Sequence, residues 1–360
     1  MNSATRCDLH LHSSASLTTG QWFSQYFQAP ESYADPIRQY ELCKARGMTL
    51  VTLTDHDSIE GGLQLIDRAD FFLSVEVSTR FPENDCAIHV LVYNLTPGQH
   101  AELQARRASV YEISSYLRSE KLVHSLPHPL LSPNWKLDAT SLEKCVALFP
   151  AFESINGLMD RRTDADMAHF FASMTTEVIE SLAEKHGIAL AHGSPPRLAR
   201  TAGSDDHGHR RSGSVYTEVD GRHGAAGFLG RVMAGQARTV GSGGDLNAMA
   251  TCVKQATYAH FRGGNQGERA RRNPFVDVMD LLAGRTPTSG AAAPRGAVEI
   301  LESLRVAAQK AGLASGPDLD ITVVPEQPSD ASDRAIVEAV SRTSDALAAT
   351  AAEALGEALV

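Results

Sequence analysis

"RCDLHLHSSAS" (residues 6–16) places His10 and His12 two positions apart on what reads as the first strand, flanked by Asp8 and a run of serines. In a β-strand, residues i and i+2 point to the same face. The two imidazoles therefore project side by side from one end of one strand. That pair either holds a divalent metal or is two surface histidines in a polar turn. If a metal is held, its remaining ligands must come from elsewhere in the chain.

Outward from this stretch, short apolar runs alternate with helix-like segments up to about residue 245. "TLVTLTDH" (49–56) reads as a β-branched strand, preceded by a helical segment "PIRQYELCKARGM" (36–48) with Gly47 near its end. "FFLSVEVST" (71–79) and "CAIHVLVYNL" (86–95) read as further strands. A long amphipathic helix is predicted over 101–121, a short strand at "AFESING" (151–157), and a helix over 164–187 with a glycine just past its end. "IALAHGS" is the next strand, and "RTAGSDDHG" (200–208) closes the series. Repeated strand–helix units without hairpin signals predict an α/β fold with a mostly parallel sheet, functional groups gathering at the C-terminal ends of its strands.

Beyond residue 245 the composition changes. "GGNQGERARRNP" (263–274) and "GRTPTSGAAAPRG" (284–296) read as flexible connections, followed by two Ala-rich helical stretches. The predicted organisation is a barrel-sized domain over 1–245, then a linker and helical tail over 246–360 that carries no catalytic signature.

The chain has 360 residues, 42% hydrophobic, which suffices for that arrangement, and its formal net charge is −10. The acidic balance argues against a nucleic-acid or anionic-membrane partner, though not against a local basic pocket for a phosphate. No leader-like apolar region and no run near the ~20 apolar residues of a membrane span is present, so the chain reads as cytoplasmic. Its five cysteines are scattered, without a C-x-x-C pair, and read as small buried hydrophobes.

The polar residues at the predicted strand ends form a series. His10 and His12 come first, then Asp55, His56 and Asp57 in "LTDHDS", Glu76 in "VEVST", and His89 among apolar neighbours. His128 in "LPHPL", Glu153 in "FESING", and Asp205 and His207 in "GSDDHG" complete it. Each has a structural alternative. Glu76 could reach solvent from a strand end, His89 could be a core imidazole on a backbone carbonyl, and His128 could be a turn residue. Asp57 reads as the cap of the helix after the second strand. Recurrence at almost every strand end makes one metal cluster the economical reading. The ligands are all nitrogen and oxygen, which suits Zn²⁺, Mn²⁺ or Fe²⁺. A carboxylate such as Glu76 can bridge two ions, and two ions can clamp a hydroxide and the oxygens of a phosphate.

Taken in order, "DLHLHSS", "LTDHDS", "VEVST" with "IHVLVYNL", "PHP" and "GSDDHG" resemble the motifs of the polymerase and histidinol phosphatase (PHP) family, over about residues 6–220. The resemblance implies a distorted barrel of seven parallel strands and helices, with two or three divalent metals at its rim, and phosphoester hydrolysis. It would place a first metal between His10, His12, Glu76 and Asp205. A second would share Glu76 and add His89 and His128. A third would use His56 and His207 with Asp55 nearby. Many members carry an Asp or His seven or eight residues after the first histidine; this chain has Leu17 and Thr18 there, which leaves the third site incomplete. "FESINGLMDRR" and "GSDDHGHRRSGSVYTEV" are further similar to PHP domains attached to bacterial glycosyltransferases, which implies a transferase partner or fusion context.

The expected activity is hydrolysis of a small-molecule, sugar or nucleotide phosphate by a hydroxide held between two metals. Glu76 would bridge, Asp205 or His207 would accept or relay the proton, and Glu153 would orient a ligand imidazole. Arg80, Arg161 and Arg162 are candidates to grip the phosphate, or else are solvated surface charges. Two alternatives remain. One is an amidohydrolase-like attack on a C–N or C–O bond, against which no lysine stands at a strand end between residues 50 and 210. The other is a degraded barrel serving as a binding or regulatory module.

Overall fold

The computed structural model describes residues 4–17, 32–134, 136–191 and 196–244. Eight strands in these residues form three small sheets. β1 (Ala4–Cys7) pairs antiparallel with β7 (Tyr216–Asp220), which pairs antiparallel with β8 (Ala237–Val240). β2 (Ser74–Arg80), β3 (Ala87–Tyr93) and β4 (Val123–Ser125) form an antiparallel meander. β5 (Ala151–Asn156) and β6 (Ala199–Gly203) are parallel.

A mostly parallel sheet was the expectation, and the described residues do not form one; nor do their strands join into a single barrel sheet. The connection between β2 and β3 accounts for one of the antiparallel pairings. "FPENDC" (81–86) is a hairpin: Phe81 N–H donates to the Cys86 carbonyl, Asn84 Oδ1 accepts from Cys86 N–H, and Asp85 takes a left-handed φ of 57°. Its Pro-Glu-Asn-Asp run is a turn signal. The predicted strand over 49–56 is also not a regular strand. It is an extended segment held by parallel bridges Val51–Phe71 and His56–Glu76 and by Thr54 N–H on the Leu11 carbonyl. Further parallel bridges, Leu11–Asp206 and Leu126–Phe152, tie the sheets to one another.

Of the helices, α1 (Pro36–Ala45) starts on the Asp35 carboxylate, which accepts from Arg38 N–H, with Pro36 in the first turn. A one-turn α2 (Glu60–Leu63) follows the 51–56 segment. The long helix expected over 101–121 is two: α3 (Pro97–Arg106) opens with a Thr96–Gln99 capping box, and α4 (Val110–Ser119) restarts at Ser109, whose backbone is extended. α5 (Ala139–Leu148) is capped by Asp138. The helix expected over 164–187 also divides, into α6 (Arg162–Ser173) and α7 (Thr176–His186), because Thr175 leaves the helical conformation to cap Val178 N–H. Gly187, at φ 63°, ends α7 where a glycine stop was read. α8 (Ala225–Met233) lies between β7 and β8. The predicted strand at 188–194 does not form over its described part, 188–191. The tail, and with it the boundary near residue 245, lies outside the described residues.

The main core joins Leu53, Phe81, Phe149 and Phe152 with the inward residues of β2 and β3, all nearly inaccessible to solvent. Cys7, Leu9, Leu91, Tyr93 and Phe228 form a second cluster. Four of the cysteines, Cys7, Cys43, Cys86 and Cys145, are free and buried. Among the described residues no helix is long and apolar enough to cross a membrane.

Candidate metal centre

The parallel bridges position the site. His10 and His12 flank Leu11, His56 and Glu76 are themselves a bridged pair, His128 lies two residues past Leu126, and Glu153 and Asp205 adjoin Phe152 and Asp206. Every one of these side chains is buried, from 0% exposed for Glu76 to 8% for His128. The chain reaches this rim through strained backbone: Asp205 and His128 adopt φ of 51° and 29°. Gly203 allows the close approach of β6, because a Cβ there would lie 2.4 Å from His10 N.

Glu76 is the hub. Its Oε2 lies 3.1 Å from His10 Nε2, 3.1 Å from His12 Nε2 and 3.3 Å from His56 Nδ1. Its Oε1 lies 2.9 Å from His89 Nδ1 and 3.2 Å from His128 Nε2. One carboxylate therefore faces two sets of imidazoles, one per oxygen. Asp205 Oδ1 joins the first set, at 3.3 Å from His10 Nε2 and 3.2 Å from His12 Nε2. Among the described residues, four groupings have the spacing to hold an ion: His10/His12/Asp205, His10/Glu76/His128, His56/Glu76/His89 and His12/His56/His207.

The outer edges of the rings are held in place. His10 Nδ1 donates to Glu153 Oε1 at 3.1 Å, and His207 Nδ1 donates to the Asp205 carbonyl at 2.9 Å. His12 Nδ1 lies 3.0 Å from Ser16 Oγ, which also accepts from His56 N–H. Glu153 Oε2 accepts from His128 N–H and from the Asn156 amide, and that same amide donates to Asp205 Oδ2 at 3.0 Å. Asn156 Oδ1 in turn accepts Leu158 and Met159 N–H. Beneath them Asp8 accepts from the backbone N–H groups of His10, Ser204 and Gly213, and burial pushes its carboxyl up to about 7.

With a proton on His10 Nδ1, and likewise on His12 Nδ1, the two Nε2 atoms turn lone pairs toward each other across 3.1 Å. Both also face Glu76 Oε2 and Asp205 Oδ1, so four acceptors converge on one point with no hydrogen between them. Such an arrangement calls for positive charge, and the all-nitrogen-and-oxygen donor set fits a divalent ion. Protons meet the same demand. Burial opposes charge on His10, but Asp205, Glu76 and Glu153 outweigh it and raise the imidazole well above its ordinary value. Burial likewise opposes charge on His12, yet hydrogen bonds to Asp205 and Glu76 raise it to about 10. Burial also opposes ionisation of Glu76, and His56, His10 and His89 overcome it, holding the carboxyl well below the usual range. His89 goes the other way, lowered chiefly by burial. An ion bound here would displace the imidazole protons.

Of the candidate residues, His10, His12, His56, Glu76, His89, His128, Asp205 and His207 converge. Asp55 is beside them, but its two oxygens accept from Ser13 N–H and Ser13 Oγ–H, and burial raises its carboxyl. It clamps the 13–16 loop. Asp57 does not cap a helix as expected: its carboxylate accepts from Ser78 N–H and from Arg107, and α2 has Ile59 at its N-cap without a side-chain bond. Arg80 pairs with Asp85 and Arg162 with Asp160, both exposed arginines, and Arg161 is exposed at the start of α6. Leu17 is 54% exposed and bonds the His56 carbonyl only through its backbone; Thr18 lies outside the described residues. Sequence reasoning passed over Ser16 and Asn156. Asn156 is three residues from Glu153 and in a regular strand would face away. The register of β5 against β6 shifts between Glu153 and Ile155, and this bulge turns both toward the site.

No family model and no curated protein matches the chain. Among solved structures it is similar to PsfC from Pseudomonas syringae (14% identity, TM-score 0.40, 71% of this chain and 97% of that one). It is also similar to an amidohydrolase from Chromobacterium violaceum (15%, 0.39, 64% and 97%). A third is a provisionally assigned metal-dependent phosphoesterase from Bifidobacterium adolescentis (12%, 0.36, 65% and 97%). At these scores the likeness carries no weight, and the chemistry is read from the site itself.

Proposed function

We propose that this chain is a divalent-metal-dependent phosphoester hydrolase of the PHP type, its rim a distorted barrel linked by the parallel bridges. The observation that carries the reading is Glu76, fully buried, with each oxygen turned to a different group of imidazoles. A buried carboxylate among five histidines is the arrangement that a pair of bridged ions needs, and it is costly otherwise. Two ions held there would polarise a phosphoryl oxygen and lower the pKa of water.

The chain's own residues divide the remaining work. Glu76, His10, His12 and Asp205 would hold one ion, and Glu76, His89 and His128 the other. Glu153 fixes the tautomer of His10, and Ser16 Oγ holds the His12 ring at its Nδ1, so that both Nε2 atoms face inward. Asn156 keeps Asp205 and Glu153 apart in fixed orientation. His207, anchored through Nδ1, presents Nε2 to take up or return a proton. Arg161 is the arginine available to a phosphate; Arg80 and Arg162 would first have to leave Asp85 and Asp160.

The test is turnover of 4-nitrophenyl phosphate and bis(4-nitrophenyl) phosphate by purified protein supplied with Zn²⁺, Mn²⁺ or Fe²⁺. Hydrolysis of at least one ester, lost on chelation and restored by metal, is expected. Failure of both esters with all three metals, in protein that has bound them, contradicts the reading.

A further inference from the structure

Three rings of the metal centre are held at their outer nitrogen. His10 Nδ1 has Glu153, His12 Nδ1 has Ser16 Oγ, and His207 Nδ1 has the Asp205 carbonyl. His128 also presents Nε2 to Glu76, yet its Nδ1 is buried and has no hydrogen-bond partner among the described residues. A metal-ligating imidazole almost always gives its other N–H to a carboxylate, a carbonyl or a water, and that partner fixes the tautomer and the ring's orientation. His128 has neither carboxylate nor carbonyl there.

His128 lines a small cavity beyond the ends of β4 and β5 and at the start of α6, together with Ser154, Met159, Thr163 and Met167. Its volume is about 20 Å³, room for one or two waters at roughly 10–15 Å³ each. Room alone does not hold a water, which also needs about two to four polar partners. The wall supplies three. His128 Nδ1 is unengaged. The Ser154 and Thr163 hydroxyls spend their hydrogens on the Thr201 and Asp160 carbonyls, so each oxygen keeps lone pairs to accept with. The senses match: a water accepts from His128 Nδ1–H and donates its own two hydrogens to Ser154 Oγ and Thr163 Oγ1.

We infer that this cavity is a structural water site through which Ser154 and Thr163 hold the His128 ring, which makes both of them positioning residues of the second ion. The inference rests on the proposed reading of Glu76, His89 and His128 as that ion's ligands. With Nδ1–H given to the water, the Nε2 lone pair of His128 faces the centre, as a metal ligand requires.

Stepwise zinc titration of the full chain by calorimetry compares the native protein with Thr163→Val and Thr163→Ser. Valine keeps the shape and removes the oxygen; serine restores it. The equivalent that depends on His128 is identified with His128→Ala. Thr163→Val should weaken that equivalent about tenfold or more and leave the other unchanged, and Thr163→Ser should recover the native affinity. Unchanged affinity in the folded valine variant overturns the inference, and so does equal weakening of both equivalents, which marks a merely structural role. Ser154→Ala repeats the comparison if Thr163→Val does not fold. A second measurement needs no metal: nuclear Overhauser cross-peaks from water to the Met159 and Met167 methyls, assigned with Met159→Leu and Met167→Leu. They should carry the sign of a long-lived bound water in the native full chain and vanish in Thr163→Val. If no ion binds but these cross-peaks appear, the metal reading and the positioning role fail and the water site alone stands. Without the cross-peaks the inference fails, whatever the chain binds.

Discussion

The Glu153 carboxylate touches three partners, His10, His128 and Asn156, and its removal separates two effects. Glu153→Ala leaves the Asn156 amide with one acceptor and His128 N–H with none, a loss of about 1–3 kcal/mol in stability. It also frees His10 to rotate, and divalent-metal affinity should fall roughly 10–100-fold. Glu153→Gln keeps an oxygen for His10 Nδ1–H, so affinity should be partly restored. Metal titration of the three proteins, alongside circular dichroism, reads this; equal affinities would show that Glu153 does not position His10. Most of the ligand set was legible from residue type alone, because histidines and carboxylates recur wherever an apolar run ends. What stayed hidden depended on geometry smaller than a motif. Asn156 needed the bulge in β5, and the commitment of Asp55 to Ser13 needed the folded 13–16 loop. His12 belongs to two groupings, with His10 and Asp205 and with His56 and His207. Its Nδ1 is occupied by Ser16, so a third ion would compete with the first for Nε2. Two firmly held ions and a readily stripped third are therefore expected on stepwise chelation; three that resist equally would contradict this.

Among the elements, β6 shows how packing sets the site. Gly203→Ala would drive a Cβ to within 2.4 Å of His10 N and 2.3 Å of His10 Cβ. A backbone neighbour cannot swing aside, so the variant should lose about 1–3 kcal/mol and bind metal more weakly as His10 shifts. Gly187→Ala is the matched comparison. Its φ is 63° with nothing within 4 Å of the added carbon, so only backbone strain of about 1 kcal/mol is expected, with metal binding intact. Thermal unfolding and metal content of both variants decide it; an unaffected Gly203→Ala would show that the β6–His10 contact is not tight. Element existence was largely legible here, since β2, β3, β5 and β6 and most helices fall where periodicity put them. Direction was not. A parallel reading of strand–helix alternation missed the 81–86 hairpin, and the extended backbone of Ser109 and the Thr175 cap divided two helices that hydrophobic spacing ran together.

For the molecule as a whole, acid is a specific hazard through His124. Burial lowers this imidazole from 6.5 to about 4, with its Nδ1 on the Leu122 carbonyl and its ring edge-on to Phe149. The unfolded chain therefore takes up a proton below pH 6.5 that the folded chain refuses until about pH 4. Stability is full above that window and falls across it as pH drops, by roughly 3 kcal/mol. His124→Phe should flatten this part of the pH–stability curve; an unchanged slope between pH 6.5 and 4 would show that His124 is not its source. The central claim is that the buried cluster around Glu76 is a metal centre. Metal content of the purified full chain, dialysed against micromolar Zn²⁺ or Mn²⁺ and compared with Glu76→Ala, tests it most directly. Two equivalents per chain in the native protein, and loss of at least one in the folded variant, are predicted. A folded native protein that retains no divalent ion, or a variant that retains both, would contradict it.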